Sequence, residues 1–400
     1  MRNDWKYLPL GDIVEIKRGL TYSKNDEVET SEKIVLRSNN INLDNHQFDF
    51  TELKYLKPSF DIPADKYLQK GDLLMCMSNG SKAHLGKVAL YEGDSNRYAF
   101  GGFMAALSHK DSVIGKYLFY AMTTPMYKEY IKALSDGANI NNLKVRDIEA
   151  FTIPVPPLSE QERMVSLLDT QFAKIDALKA NVASQLQAAK DLFQAALKQL
   201  LTPQEGWEEK ELKSIGKTQT GCTPSMSHKE YYDEEYIPFI KPSEINYDGI
   251  GGINYDTQKL SKLGAENGRV FEANSIFMVC IGTIGKLGYS KKVASCNQQI
   301  NVLTPSDKYN SKFVYYALLN PTFQNEVEII AKSAQATLPI ISKGKWEKLT
   351  ISFPSLPEQE RIAARLDKIS EKVKALQANY DQTIILCNDL KQSLLKSIFA

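Results

Sequence analysis

The side chains with the most recognition chemistry sit in short polar clusters beside apolar runs. Arg37-Ser38-Asn39-Asn40 follows Ile34-Val35-Leu36. Arginine can pair with the guanine O6/N7 edge and asparagine with the adenine N6/N7 edge, so this cluster suits a major groove. The plainer alternative is an asparagine-rich turn with a surface arginine. Lys241 and Ser243 hold the equivalent place after Ile237-Pro238-Phe239-Ile240. Two glycine-bearing loops follow: one holds Lys82, His84 and Lys87, and the other is the shorter Gly282-Thr283-Ile284-Gly285-Lys286. Lys82, His84, Lys87, Thr283 and Lys286 can hold phosphates, with glycine allowing close backbone approach. Ordinary hairpins would use the same residues. Asn297-Gln298-Gln299 carries amides able to read adenine, or equally to satisfy buried backbone groups.

Catalytic patterns are missing. The four histidines, His46, His84, His109 and His228, stand apart from one another. There is no His-Glu-x-x-His, no Gly-x-Ser-x-Gly and no Gly-x-Gly-x-x-Gly after a strand. The stretch from Gly80 to Lys87 places Val88 where a phosphate loop needs serine or threonine. The chain is therefore expected to be non-catalytic and to bind no metal. Lys and Arg total 49 against 48 Asp and Glu, a net charge of +1, so nucleic-acid binding must come from local patches. Cys76, Cys222, Cys280, Cys296 and Cys387 form no close pair, which argues against disulfides or zinc and for a reducing cytoplasm. No apolar run is long enough to span a membrane, and Met1-Arg2-Asn3-Asp4-Trp5 has no apolar signal region.

These clusters must be positioned by a duplicated framework. Pro156-Pro157-Leu158-Ser159-Glu160-Gln161-Glu162-Arg163 returns 198 positions later as Pro354-Ser355-Leu356-Pro357-Glu358-Gln359-Glu360-Arg361. The register persists: Leu168-Asp169 recurs as Leu366-Asp367 and Asp191-Leu192 as Asp389-Leu390. Each stretch lacks internal glycine and is rich in Leu, Ala, Lys, Gln and Glu, which favours helix. Ser159 with Glu162, and Ser355 with Glu358, have capping-box spacing. The first seam is predicted through Met164, Leu168, Ile175, Leu178, Val182, Ala189, Leu192, Ala196 and Leu200. The second runs through Ile362, Leu366, Ile369, Val373, Leu376, Tyr380, Cys387, Leu390, Leu394 and Ile398. The spacing is a heptad pattern. Forty such residues span about 60 Å and need a partner, the cheapest being the other copy.

The region before each helix is also duplicated. Trp207 answers Trp5, Gly221 answers Gly19, and the run Ser275 to Cys280 answers Gly71 to Met77. Helical stretches are predicted from Gly115 to Leu134, interrupted near Pro125, and from Phe313 to Asn325. The fold class is α+β. Residues 1–155 and 203–353 are expected as two similar globules, and 156–202 and 354–400 as long helices. Antiparallel helix pairing with pseudo-two-fold symmetry is preferred, because parallel pairing demands a long return path.

Together, the two Pro-Leu-x-Glu-Gln-type signatures, each opening a long helix after a globule, resemble those of type I restriction–modification specificity subunits. The resemblance covers nearly the whole chain, with weaker support from Gly137-Ala138-Asn139-Ile140-Asn141 and Gln335-Ala336-Thr337-Leu338-Pro339. It implies two target recognition domains, each reading one half of a split double-stranded DNA site, and helices that set the gap. It also implies two methyltransferase subunits carrying S-adenosylmethionine, and restriction subunits using ATP and Mg, with no cofactor on this chain and no membrane. The competing function is a coiled-coil adaptor whose two heads bind proteins. A DNA reader's gel shift weakens steeply with salt, whereas the adaptor gives none.

Overall fold

Helix-favouring stretches become the two longest elements. The computed structural model describes residues 5–136, 142–246, 252–332 and 339–399. In it the helices run Leu158–Leu200 and Leu356–Phe399. The segments Gly137 to Asn141 and Gln335 to Leu338 lie outside the described residues. The two proposed capping boxes sit in different registers of the repeat, and the structure uses one register for both. The carbonyl of Pro157 accepts from the N–H groups of Glu160 and Gln161, and that of Ser355 from those of Glu358 and Gln359. Ser159 thus lies inside the first turn rather than at the cap.

The chain divides into two compact units: residues up to Lys179 with those from Thr383 onward, and Ala180–Gln382. In the first unit, strands Val14–Arg18, Met104–His109, Leu73–Cys76 and Val88–Leu90 form an antiparallel sheet in that order. A second sheet orders Glu27–Val28, Lys54–Leu56, Ile34–Leu36 and Tyr98–Phe100, the last two parallel. Leu73–Cys76 is buried on both faces, as its unbroken apolar run requires. Leu73 and Met75 join the core beneath helices Gly115–Ala121 and Pro125–Asp136, while Leu74 and Cys76 join the core toward the second sheet. This is the two-residue period of a strand.

The second unit repeats the plan. Gly216–Thr220, Ile300–Pro305, Ile276–Val279 and Leu287–Tyr289 form its antiparallel sheet. Ile237–Ile240 pairs in parallel with Ala294–Cys296. The helix expected from Phe313 to Asn325 is instead two helices, Ser311–Leu319 and Pro321–Lys332. The break falls at Asn320, whose extended backbone (φ −58°, ψ 132°) follows from preceding a proline.

The expected heptad seams are largely buried in the first half of each helix and, beyond it, fully only at Cys387, with Ala189, Ala196, Leu200, Leu394 and Ile398 half-buried against the cores. Met164, Leu168 and Ile175 are buried, as are Ile362, Leu366 and Val373. Leu178, Leu192 and Leu390 are exposed, and the buried residues further along are Leu186, Phe193, Leu197 and Leu201 in one copy and Cys387, Leu395 and Phe399 in the other. The register slips by one because these helix ends answer to a globule as well as to a helix. Phe193 packs edge-on against Tyr316 in the second unit, and Phe399 lies 5.1 Å from Tyr117 between ring centroids in the first. Within the first unit Lys391 donates to Asp176 at 2.6 Å and Lys179 to Asn388 at 2.6 Å. Rising numbers thus meet falling ones, which is antiparallel pairing.

The repeated signature joins helix to sheet. The buried Gln161 amide accepts from the Ile114 N–H (2.9 Å) and donates to the Ser112 and Pro156 carbonyls (both 2.9 Å). Gln359 accepts from the Asn310 N–H (3.0 Å) and donates to the Pro354 carbonyl (2.9 Å). Glu160 and Glu358 hold Arg163 and Arg361 in two-pronged contacts at the surface. About two turns on, the repeated aspartates accept tyrosine hydroxyls: Asp169 from Tyr120 at 2.5 Å and Asp367 from Tyr316 at 2.7 Å. Burial, reinforced by the carboxylates, pushes both phenols far above their ordinary range.

Candidate nucleic-acid interface

The parallel strand pair in each unit determines which loops meet. Ile34–Leu36 and Tyr98–Phe100 end side by side, and the Gly101 N–H donates to the Leu36 carbonyl at 2.9 Å. Gly19 crosses at the same point. A Cβ there would lie 2.1 Å from the Gly101 oxygen, so only glycine permits the crossing. The second unit repeats this at Gly221, where a Cβ would lie 2.1 Å from the Asn297 oxygen.

In the first unit this crossing opens a groove of about 630 Å³, whose lining includes Tyr22, Arg37, Asn39, Asn79 and Phe103. Arg37 is half-buried at its edge, with its Nε enclosed and unpartnered. Its backbone N–H is held by the Asn40 Oδ1 at 2.9 Å. Ser38 Oγ accepts from Asn79 Nδ2 at 2.8 Å, and Asn39 is exposed. Burial raises the Tyr22 phenol, with the Arg37 charge opposing.

Several sequence-proposed contacts resolve into scaffolding. Asn40 is 1% exposed and its amide donates to the Asp49 and Glu52 carbonyls (both 2.8 Å), so none of it is left for a base. Lys87 is buried and donates to the Ile41 carbonyl at 2.7 Å; burial lowers its ammonium pKa. Its role is to pin the turn that carries Arg37, and it is not placed to hold a phosphate. Lys82 is exposed and paired with Asp136 at 3.4 Å, and His84 is half-buried with its Nδ1 enclosed. Neither lines the groove.

The second unit keeps the backbone and changes the side chains. Lys241 takes the place of Arg37, and its N–H is held by Glu244 (2.8 Å), which takes the place of Asn40. Its ammonium lies 2.9 Å from Gln258 Oε1 and over the Phe239 ring. Ser243 is exposed and donates to Glu244. Thr283 is exposed, while the half-buried Lys286 donates to the Pro242 carbonyl at 3.4 Å, as Lys87 does to Ile41. Asn297 is buried, its amide tied to Gln299, so it does not reach a ligand. Gln298 is exposed and accepts from Thr223 at 2.7 Å.

Sequence reasoning missed Tyr22, Asn79 and Phe103. The one available signal was Gly101-Gly102 ahead of Phe103, a tight turn with an apolar tip.

A family model described as "Type I restriction modification DNA specificity domain" matches residues 2–188 and 204–384. The type I restriction enzyme EcoKI specificity subunit of Escherichia coli (strain K12) is 23% identical over 99% of this chain and 88% of its own length. The StySPI specificity subunit of Salmonella potsdam is 24% identical over the same shares. Among solved structures, a chain from "Structural basis underlying complex assembly and conformational transition of the type I R-M system" superposes with TM-score 0.76 at 18% identity, covering 99% of this chain and 97% of that one. The HsdS subunit from Thermoanaerobacter tengcongensis superposes with TM-score 0.53 at 17% identity, covering 100% and 97%. At these identities the superpositions establish the fold.

Proposed function

The chain belongs to the family of type I restriction–modification DNA specificity domains, and from that premise we propose that it reads a bipartite double-stranded DNA target, one half with each unit. One observation carries this. The same glycine-permitted strand crossing occurs in both units but presents Arg37 and Asn39 in one, and Lys241, Ser243 and Gln298 in the other. Conserving the backbone while changing the side chains is what two half-sites of different sequence require. Lys82 and Thr283, exposed on the glycine-bearing loops, are proposed as phosphate contacts.

The two long helices are proposed to set the unspecified gap between the halves. One heptad added to each helix in the same layer keeps the apolar seam facing its partner. Seven residues add about 10 Å of helix, and duplex DNA advances about 3.4 Å per base pair. The methylated motif should keep both halves while its gap lengthens by about three base pairs. Sequencing methylated bases checks this, and an unchanged gap in an active complex would show that the helices are not the ruler. The half-sites also rotate about the duplex by roughly 100°, so reduced activity is expected.

The chemistry is proposed to reside on partners: two methyltransferase subunits with S-adenosylmethionine, and restriction subunits with ATP and Mg, all in the cytoplasm. No helix among the described residues is long and apolar enough to cross a membrane. Exposed leucines support docking of two subunits. Leu390 (50% exposed) stands in one unit and Leu192 (64%), its counterpart 198 positions earlier, in the other. Leu386 adds to the first patch at 57% exposure. Alone, the chain should transfer no methyl group from labelled S-adenosylmethionine. Leu386→Glu with Leu390→Glu should leave a complex carrying one methyltransferase subunit instead of two, read by native mass. Retention of both subunits would exclude this surface.

A further inference from the structure

Phe103 is the most exposed large aromatic side chain among the described residues, 70% accessible, and it stands on the lip of the groove that holds Arg37. Its placement is fixed by the backbone beneath it. The turn Gly101-Gly102-Phe103-Met104 is closed by a hydrogen bond from the Met104 N–H to the Gly101 carbonyl (2.8 Å). The Phe103 carbonyl accepts from the N–H groups of Met77 (2.8 Å) and Ser78 (3.1 Å). Gly101 is itself bonded to Leu36, the residue before Arg37. The main chain on both sides of Phe103 is thus tied inward, and the ring is thrown outward next to Arg37 and Asn39.

The second unit has the same turn without the ring. There the Gln299 carbonyl accepts from the Cys280 N–H (2.8 Å), as the Phe103 carbonyl does from Met77. The Gln299 side chain is half-buried and tied to Asn297. The backbone device therefore does not require an aromatic residue. Phe103 is an addition specific to the first unit, and folding gains little from a ring left in water.

We infer that Phe103 is a specificity-determining residue of the first unit and reads thymine through its C5-methyl group. This rests on the DNA reading proposed above. A phenyl ring offers no hydrogen bond, and the base edges of the major groove carry one apolar group, the thymine methyl. Its neighbours Arg37 and Asn39 supply polar readout, so the ring adds a discrimination that neither of them can make.

The test uses the full chain in its methyltransferase complex and duplexes carrying the methylated motif. Each thymine of the motif is replaced in turn by uracil, which differs only by the methyl group. One replacement should weaken binding by the unaltered chain about fourfold, the worth of one methyl group taken out of water. Phe103→Ala should bind the thymine duplex about tenfold more weakly and no longer distinguish it from its uracil counterpart. Phe103→Leu should recover part of the preference. A motif without thymine, indifference of the unaltered chain to every uracil, or a thymine preference that survives in Phe103→Ala would each overturn the inference. So would equal weakening of all duplexes by Phe103→Ala together with a lost DNA bend, which marks a wedge between base steps. If the unaltered chain shows no sequence-specific binding, the DNA reading itself falls, and the inference with it.

Discussion

Arg37→Ala is expected to relax or abolish one half of the methylated motif and leave the other half intact. The guanidinium lies at the mouth of the first unit's groove with its Nε enclosed and unpartnered. A bidentate contact to guanine at that place is worth about 1–3 kcal/mol, roughly five- to 150-fold in affinity for that half-site. Arg37→Lys is the sharper variant. It keeps the charge and loses the planar fork, so nonspecific binding and its salt slope should persist while discrimination falls. Two measurements decide the matter: the methylated motif in cells, and the salt dependence of binding to a short duplex. A uniform loss over both halves would assign Arg37 to folding or to a phosphate. A loss of salt slope by about one, with the motif unchanged, would assign it to a phosphate alone.

The second large effect lies far from any base. Gln161→Leu should destabilise the first unit by about 3 kcal/mol, since it leaves the half-buried Ile114 N–H, the Ser112 carbonyl and the buried Pro156 carbonyl without their partner. For a unit of this size that is roughly 6–12 °C in melting temperature. Gln161→Glu separates the contacts. It keeps an acceptor for Ile114 but faces the carbonyls of Ser112 and Pro156 with a carboxylate, and it should be at least as damaging. Gln359→Leu is the control and should lower the stability of the second unit instead. Calorimetry or hydrogen exchange resolved by peptide would show which unit loosens. Unchanged protection near Ile114 in Gln161→Leu would mean that the signature glutamine does not join helix to sheet.

Neither effect could be argued from the sequence at the same depth. The duplication, the two long helices and the strand-rich plan of each unit were legible because they depend on local rules: helix propensity, apolar period and turn residues. So was the pairing of Arg37 with Lys241, because each follows an apolar strand at the same place in its repeat. The uses of Asn40, Lys87 and Asn297 were not. An amide or ammonium reads alike in sequence whether it faces solvent or a buried carbonyl, and only the folded chain brings the Asp49, Glu52 and Ile41 carbonyls within reach. The helix seams slipped beyond their first halves for a related reason. A heptad pattern assumes that a helix answers to one partner, whereas Phe193, Leu197, Leu395 and Phe399 answer to a globule as well. The groove with Tyr22, Asn79 and Phe103 is the most tertiary feature of all. Its walls come from four separated loops that meet only because two parallel strands end together and a glycine lets a third segment cross them. The sequence by itself thus determined that there are two similar recognition units and roughly where each presents polar side chains. Which of those side chains stay free to recognise anything was decided by burial, through the hydrogen bonds that buried carbonyls must find.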